Sequence, residues 1–298
     1  MKLSNLKDSI KDINVIIDAE FNALGMATSK FNKVGVLSFL SEEKFIQSIE
    51  NNKMISAIII TSSLYEKIDV KNIGIIISDN PKALFYKIHN YLVEKEFYWE
   101  DFKTEIDTST IIHPGVNIPK KNLKIGKNCV IEEGVIIHEG VIINDNVIIR
   151  SGTILGSNGF QFLNDGEVVF QVKTGGLLTI GNNVEVQHNC CLDRGVLGGV
   201  TILHDNVKVD NFVHIAHDCV IGERTLITAG VKFGGRTIVG NDCWIGINST
   251  ISNGLNIGNN VTISLGSVVT RDVADNLTVT GNFAIEHKKF IDFIKSIR

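Results

Sequence analysis

Five cysteines are spread through the 298 residues with no CxxC pair among them, so a zinc ribbon or dithiol redox centre has no support. The charge balance of −4 is nearly even and forms no basic stripe, which removes the electrostatic case for a nucleic-acid partner. No apolar run reaches the roughly 18 residues that a membrane span needs, and the start, MKLSNLKDSIKD, lacks the apolar core of a signal peptide. The expectation is a cytoplasmic chain with no membrane span. Neither GxGxxG nor a P-loop occurs, which excludes the familiar dinucleotide and ATP modules.

What the chain does have is a period of six. From Leu203 onward twelve consecutive hexads begin with a large apolar residue, through Val209, Ile215, Ile221, Ile227 and Phe233 to Ile263 and Val269. Four places after each starter stands a second residue, such as Val207, Val213, Cys219 or Thr225, and only Leu255 is large. Six fits neither the 3.6 of a helical face nor the alternation of one long strand. It fits a chain that turns a corner after each short strand, so that three hexads close a triangular coil and coils stack into a parallel β-helix. Glycine in the second or fourth place, as in Ile221-Gly222 and Ile257-Gly258, is expected to supply the backbone angles of a sharp corner. Cys129, Cys190, Cys219 and Cys243 fall on the small inward place and read as core.

Earlier hexads start at Ile125, Ile131, Ile137, Ile143, Ile149 and Leu155, stop for an insertion over 156–179, and return at Ile180, Val186 and Leu192. The pattern is irregular over 193–199. Residues 1–105 lack hexads and interleave apolar runs (14–17, 34–39, 57–60, 73–77) with helical stretches (42–49, 81–94), which predicts a small α/β domain. Asn80-Pro81 is a helix start, since proline at the first helical position loses no hydrogen bond. The expected division is 1–105 for the α/β domain, 106–275 for the β-helix and 276–298 for a helical cap over its open end.

The candidate chemistry sits in Ile215-Ala216-His217-Asp218-Cys219-Val220. His217 at a corner has the titration range to take a proton from an attacking amine, and Asp218 or Asp210 could orient its other nitrogen. Most corner residues only face solvent, so position alone does not make a histidine functional. Gly235, eighteen residues and one whole coil later, is expected at the same corner, where a bare N–H could hold the oxyanion of an acyl transfer; equally, the glycine could serve only the turn. His214 and His217 are three apart, and positions 178 and 181 two coils earlier are leucine and glycine, so a three-histidine zinc site is not expected.

Val209 to Gly222, VDNFVHIAHDCVIG, resembles the catalytic coil of the acyltransferases of lipid A synthesis, and the whole chain is most similar to the UDP-3-O-acylglucosamine N-acyltransferase family. HPGV, GSNGF and LDRG resemble further motifs of that family, and Leu37 to Ser41 with Phe45 resembles its uridine-binding segment. The resemblance implies a left-handed β-helix, a homotrimer with active sites between subunits, His217 as general base, the Gly235 N–H as oxyanion donor, and Phe39 and Phe45 sandwiching a pyrimidine; Asp210 and His214 are further substrate-binding candidates. The family has a second histidine in the corner after Ile251, where this chain has Gly254. GSVVTRDV followed by TVTGNFA resembles the ending of coenzyme-A-dependent sugar acetyltransferases. The expected activity is N-acylation of a nucleotide-linked amino sugar, for a cell-surface polysaccharide, from a thioester, acyl-CoA ahead of acyl-carrier protein, with no permanently bound cofactor. The lipid A reaction itself and a non-catalytic scaffold are the alternatives.

Overall fold

The computed structural model describes residues 1–7, 9–10, 13–27, 34–69, 72–281, 284 and 286–297. Residues 282, 283 and 285, in the TVTGNFA ending and at the start of the expected terminal helix, lie outside the described residues.

Three parallel sheets form the walls of a prism. In each rung one short strand goes to each wall: Lys208–Val209 to the first, His214–Ile215 to the second and Val220–Ile221 to the third. Leu226–Ile227 then returns to the first wall, paired with Lys208–Val209. Each starter thus pairs with the starter one coil later, Val209 with Ile227, Ile215 with Phe233 and Ile221 with Val239. Starters and small residues together make one buried core from Leu123 to Val273. Burying a starter of this size contributes about 1.5–3 kcal/mol, which holds strands two residues long in place. The fold is the left-handed parallel β-helix, with an α/β part at the N-terminus and a short helix at the C-terminus.

The corners meet the expectation at the fourth place, where Gly230, Gly254 and Gly266 take the left-handed conformation with φ of 72°, 72° and 65°, and depart from it at the second. Asn206, Asn248 and Asn260 take the left-handed conformation, with φ of 63°, 56° and 54°, whereas Gly222 and Gly258 do not adopt it. Their glycine is needed for stacking: a Cβ on Gly222 would lie 2.4 Å from the Gly240 backbone, and one on Gly240 2.6 Å from the Gly258 carbonyl oxygen. At these two glycines the next rung approaches too closely for a side chain.

Beyond the last regular hexad, Thr278–Val279 pairs with Thr262–Ile263 and lengthens the first wall. The terminal helix, His287–Ser296, forms but has no buried residue, and Phe290 and Phe293 are exposed. The expected terminal helix is thus present, with part of its apolar stripe exposed.

The N-terminal sheet runs in the order Asn14–Ile17, Gly74–Ile77, Ile55–Ile60, Val36–Leu40, Ala23–Leu24, antiparallel only at its first pair. Helix Pro81–Glu94 starts as Asn80-Pro81 predicts, with the Asn80 side chain accepting from the Ala83 N–H. Ala23–Leu24 and the helical turn Ser62–Tyr65 were not foreseen, since two to four residues carry no readable period.

The insertion is what fastens the two parts together. It contains a hairpin, Phe162–Asn164 with Val169–Gln171, and helix Pro81–Glu94 is bolted to it at several points. Lys87 pairs with Asp165 at 2.8 Å, the Asn90 side chain donates to the Gln171 carbonyl at 2.8 Å and accepts from the Lys173 N–H at 2.8 Å. Val172 and Val196 join the same apolar core as Leu37, Phe85 and Ile88. His89 is fully buried in this seam, its Nδ1 2.5 Å from the Tyr98 hydroxyl and its Nε2 2.7 Å from the Lys173 carbonyl oxygen. Since only a protonated Nε2 can donate to that carbonyl, Nδ1 accepts from Tyr98 and the ring is neutral.

Burial pulls the His89 pKa down to about 4, outweighing the bond to Lys173 and the Asp218 charge, which favour protonation. Between its ordinary value near 6.5 and about 4 the unfolded chain therefore binds the proton that the folded chain refuses, and stability falls as pH falls through that window. The contribution is fully present above about pH 6.5, and its loss amounts to roughly 3 kcal/mol. Denaturant titrations at pH 7 and pH 4.5 should show this extra acid sensitivity in the native chain and not in His89→Gln; equal slopes in both would remove His89 as its cause.

Candidate active site

His217 sits at the corner between the second and third walls, and Asp218 follows in the left-handed conformation with φ of 59°. That turn brings the Asp218 Oδ2 to 2.8 Å from the His217 Nδ1. The carboxylate also accepts from the Val196 N–H at 3.1 Å, while the Asp218 N–H donates to the buried Thr201 hydroxyl at 2.8 Å. An acceptor on Nδ1 fixes the proton there and leaves the Nε2 lone pair free, as a base requires. Gly195 and Gly199 make room for this: a Cβ on either would come within 2.7 or 2.1 Å of the Asp218 Oδ1. The irregular 193–199 segment is thus shaped around the carboxylate.

Gly235 lies directly against the imidazole. Residues 214 and 232 pair, as do 215 and 233, and the Arg236 N–H donates to the His217 carbonyl oxygen at 2.8 Å, so the two corners stack one rung apart. A Cβ on Gly235 would be 2.6 Å from His217 Nε2. No hydrogen bond within the described residues uses the Gly235 N–H. Gly234 follows the stacking rule, since a Cβ there would be 2.5 Å from the Asn253 nitrogen.

Asp210 does not reach this site. It belongs to the preceding corner, between the first and second walls, where its carboxylate accepts from the N–H and side chain of Asn211 and borders a shallow groove with Leu226 and Trp244. The reason is arithmetic: seven residues separate it from His217, which is one wall too many. Asp218 alone orients the imidazole. His214 projects from the second wall with its Nε2 3.8 Å from Asp193.

Asp193 was not singled out from the sequence. It is buried, accepts from the Ser157 hydroxyl at 2.5 Å, and shares the site with Gly159, whose added Cβ would be 3.1 Å from the His217 ring and 3.5 Å from the Asp193 carboxylate. GSNGF, at the start of the insertion, and LDRG, two hexads after its end, therefore meet beside HIAHD. Cys191, Asp193 and His214 also bring donor atoms within 4.8 Å of one another, although Asp193 is already engaged by Ser157. The glycines in LDRGVLGG were the available signal.

A cleft of about 590 Å³ opens beside His217 and Asp218, bounded by residues 22–26, Tyr86, Tyr98, Gln161 and Arg236. The α/β part thus supplies one side of it. Phe39 and Phe45 line a second pocket of about 190 Å³ with Ser41, Glu42 and Lys82, and Met26 borders both. Phe39 also packs on Phe85, ring centres 5.0 Å apart.

The bacterial transferase hexapeptide model matches residues 122–157 and 200–235, six repeats in all. The chain carries the transferase hexapeptide repeat. This hexapeptide chain is 30% identical over 131 residues to the UDP-3-O-acylglucosamine N-acyltransferase of Janthinobacterium sp. (strain Marseille), a match that covers 44% of the chain and 37% of that protein. It is 42% identical over 132 residues to the protein of the same name from Acidovorax sp. (strain JS42), covering 44% of the chain and 40% of the relative. The chain thus spans about two fifths of the length of these curated relatives. Among solved structures, the UDP-N-acetylglucosamine acyltransferase of Francisella novicida superposes with a TM-score of 0.55 at 25% identity, over 60% of this chain and 63% of that one. The resemblance seen in the sequence therefore holds. Among the described residues no helix is long and apolar enough to cross a membrane.

Proposed function

We propose that the chain is an N-acyltransferase that moves an acyl group from a thioester to the amine of a nucleotide-linked amino sugar. The observation that carries this is a base and an oxyanion donor on one edge: His217 with its Nδ1 held 2.8 Å from Asp218, and Gly235 against its free nitrogen. His217 takes the proton from the amine as its nitrogen attacks the thioester carbonyl, the Gly235 N–H holds the resulting oxyanion, and collapse expels the thiolate, which the protonated imidazole reprotonates. Phe39 and Phe45 hold the pyrimidine, with Met26 linking that pocket to the cleft.

The relatives' name supports UDP-3-O-acylglucosamine as the acceptor, the lipid A alternative. The acetyltransferase-like ending and Gly254 support a smaller acceptor and acyl-CoA; among the described residues nothing lies within 4 Å of a Cβ at Gly254, the position of the family's second histidine. A homotrimer belongs to the same reading. Phe212, Ile247 and Leu265 form an exposed apolar edge between the first and second walls, with Trp244 beside them. Phe212 holds a φ of 60°, costly for a bulky residue. A second copy would bury that edge and bring its Asp210 towards a neighbour's cleft.

Assays pairing acyl-CoA and acyl-carrier donors with UDP-glucosamine, UDP-3-O-acylglucosamine and dTDP-amino sugars test the reading. Transfer to no amino sugar from either donor would leave the scaffold alternative. With the active pair, Phe39→Ala and Phe45→Ala should each raise KM for the nucleotide sugar by about 10-fold, in line with the 1–3 kcal/mol of a base–aromatic stack; an unchanged KM would place the base elsewhere.

A further inference from the structure

Resting on that reading, we infer that Arg236 is the residue that holds a substrate diphosphate in the His217 cleft. The charged groups lining the cleft are His217, Asp218 and Arg236. Asp218 is committed to the imidazole and to the Val196 N–H. Arg236 is exposed, and no ion pair or side-chain hydrogen bond engages its guanidinium among the described residues. Two other arginines show what a structural role looks like here: Arg224 is forked onto Asp242, and Arg150 joins Glu132 to Glu185.

The backbone argues the same way. Arg236 occupies a corner in the left-handed conformation, φ of 62°, a setting that Asn248 and Asn260 fill on other corners. Arginine is a poorer fit to that conformation than asparagine, and Arg224, which shares it, is compensated by its fork to Asp242. Arg236 has no such return within the chain. It is nonetheless anchored, since its N–H bonds the His217 carbonyl oxygen, so its side chain starts one rung from the base. Across the cleft its charge acts on the Tyr86 hydroxyl, which hydrogen-bonds Gln161 at 3.4 Å.

A diphosphate entering here meets the Asp218 carboxylate as the other fixed charge and needs a cation to offset the repulsion. A planar guanidinium bonds two phosphate oxygens at once, which a lone ammonium does not. Two substrates of the proposed reaction carry this group, the nucleotide sugar and coenzyme A. Met26 lines both the Phe39 and Phe45 pocket and the cleft that holds Arg236, which favours the nucleotide sugar, because its diphosphate lies between base and sugar.

The test is kinetics on the full chain with Arg236→Gln and Arg236→Lys. Arg236→Gln is expected to raise KM for the nucleotide amino sugar by about 10–100-fold, the usual span for hydrogen bonds to a charged group, with kcat within about threefold and Arg236→Lys recovering part of the loss. KM for a methyl glycoside of the same amino sugar, which has no phosphate, should not move. If KM rises instead for acyl-CoA and not for acyl-pantetheine, Arg236 holds the donor's diphosphate. Unchanged KM for every diphosphate-bearing substrate overturns the inference. Calorimetry with UDP and dTDP against uridine and thymidine reads the contact without turnover: the diphosphate's advantage should shrink about 10–100-fold in Arg236→Gln. Wild-type chain that acylates no nucleotide sugar but loses this advantage on substitution would sink the proposed activity and keep the Arg236 contact; an active wild type with an unaffected variant would do the reverse.

Discussion

His217→Ala should lower kcat by about 10²–10⁴-fold, the span that a positioned general base contributes, while leaving KM for the sugar nucleotide within a few-fold. The expectation follows from geometry. The Nδ1 proton is pinned by Asp218 at 2.8 Å, so the other nitrogen carries the free lone pair, and it lies against Gly235 on the next rung. The attacking amine arrives partly unprotonated, since an α-amino group titrates near 8, so some turnover survives through positioning alone. Steady-state rates with saturating donor decide the matter. Turnover equal to wild type would remove His217 from the mechanism and leave binding of both substrates as the chain's contribution.

Gly235→Ala is the sharper substitution, because it adds one methyl group and removes no functional one. The glycine's φ lies outside the left-handed region, so alanine takes up the backbone without strain. Its Cβ would however stand 2.6 Å from Nε2 and 2.7 Å from Cε1 of His217. The imidazole must swing away, lengthening its bond to Asp218, and the methyl fills the space where the oxyanion would sit. A misplacement near 1 Å costs on the order of 10²-fold and loss of an oxyanion donor about 10²–10³-fold, so kcat should fall by about 10²–10³-fold. The unfolding midpoint should barely change, since the buried starters are untouched. A kcat within threefold of wild type would show that the methyl group is accommodated and that the Gly235 amide has no part in the reaction.

The sequence made the solenoid readable because its period is strict. Counting eighteen residues was enough to put His217 and Gly235 on one edge. The same counting should have excluded Asp210, whose seven-residue separation assigns it to the preceding corner, where Asn211 holds it. Asp193 and Gly159 were hidden for a different reason: Gly159 lies inside the insertion and Asp193 in the irregular segment after it, so no period predicts their meeting at His217. Glycine misled in one respect. At Gly222 and Gly258 it answers to the closeness of the next rung, which a single hexad does not reveal.

The bolts between helix Pro81–Glu94 and the hairpin hold the Phe39 and Phe45 pocket, built by the α/β part, at a set reach from His217 on the β-helix. With Lys87, His89 and Asn90 all fastened to the insertion, that span behaves as a caliper. A ligand seated at Phe39 and Phe45 can offer to His217 only an atom at the matching reach, so shortening or lengthening the hairpin would change which molecules fit between the jaws.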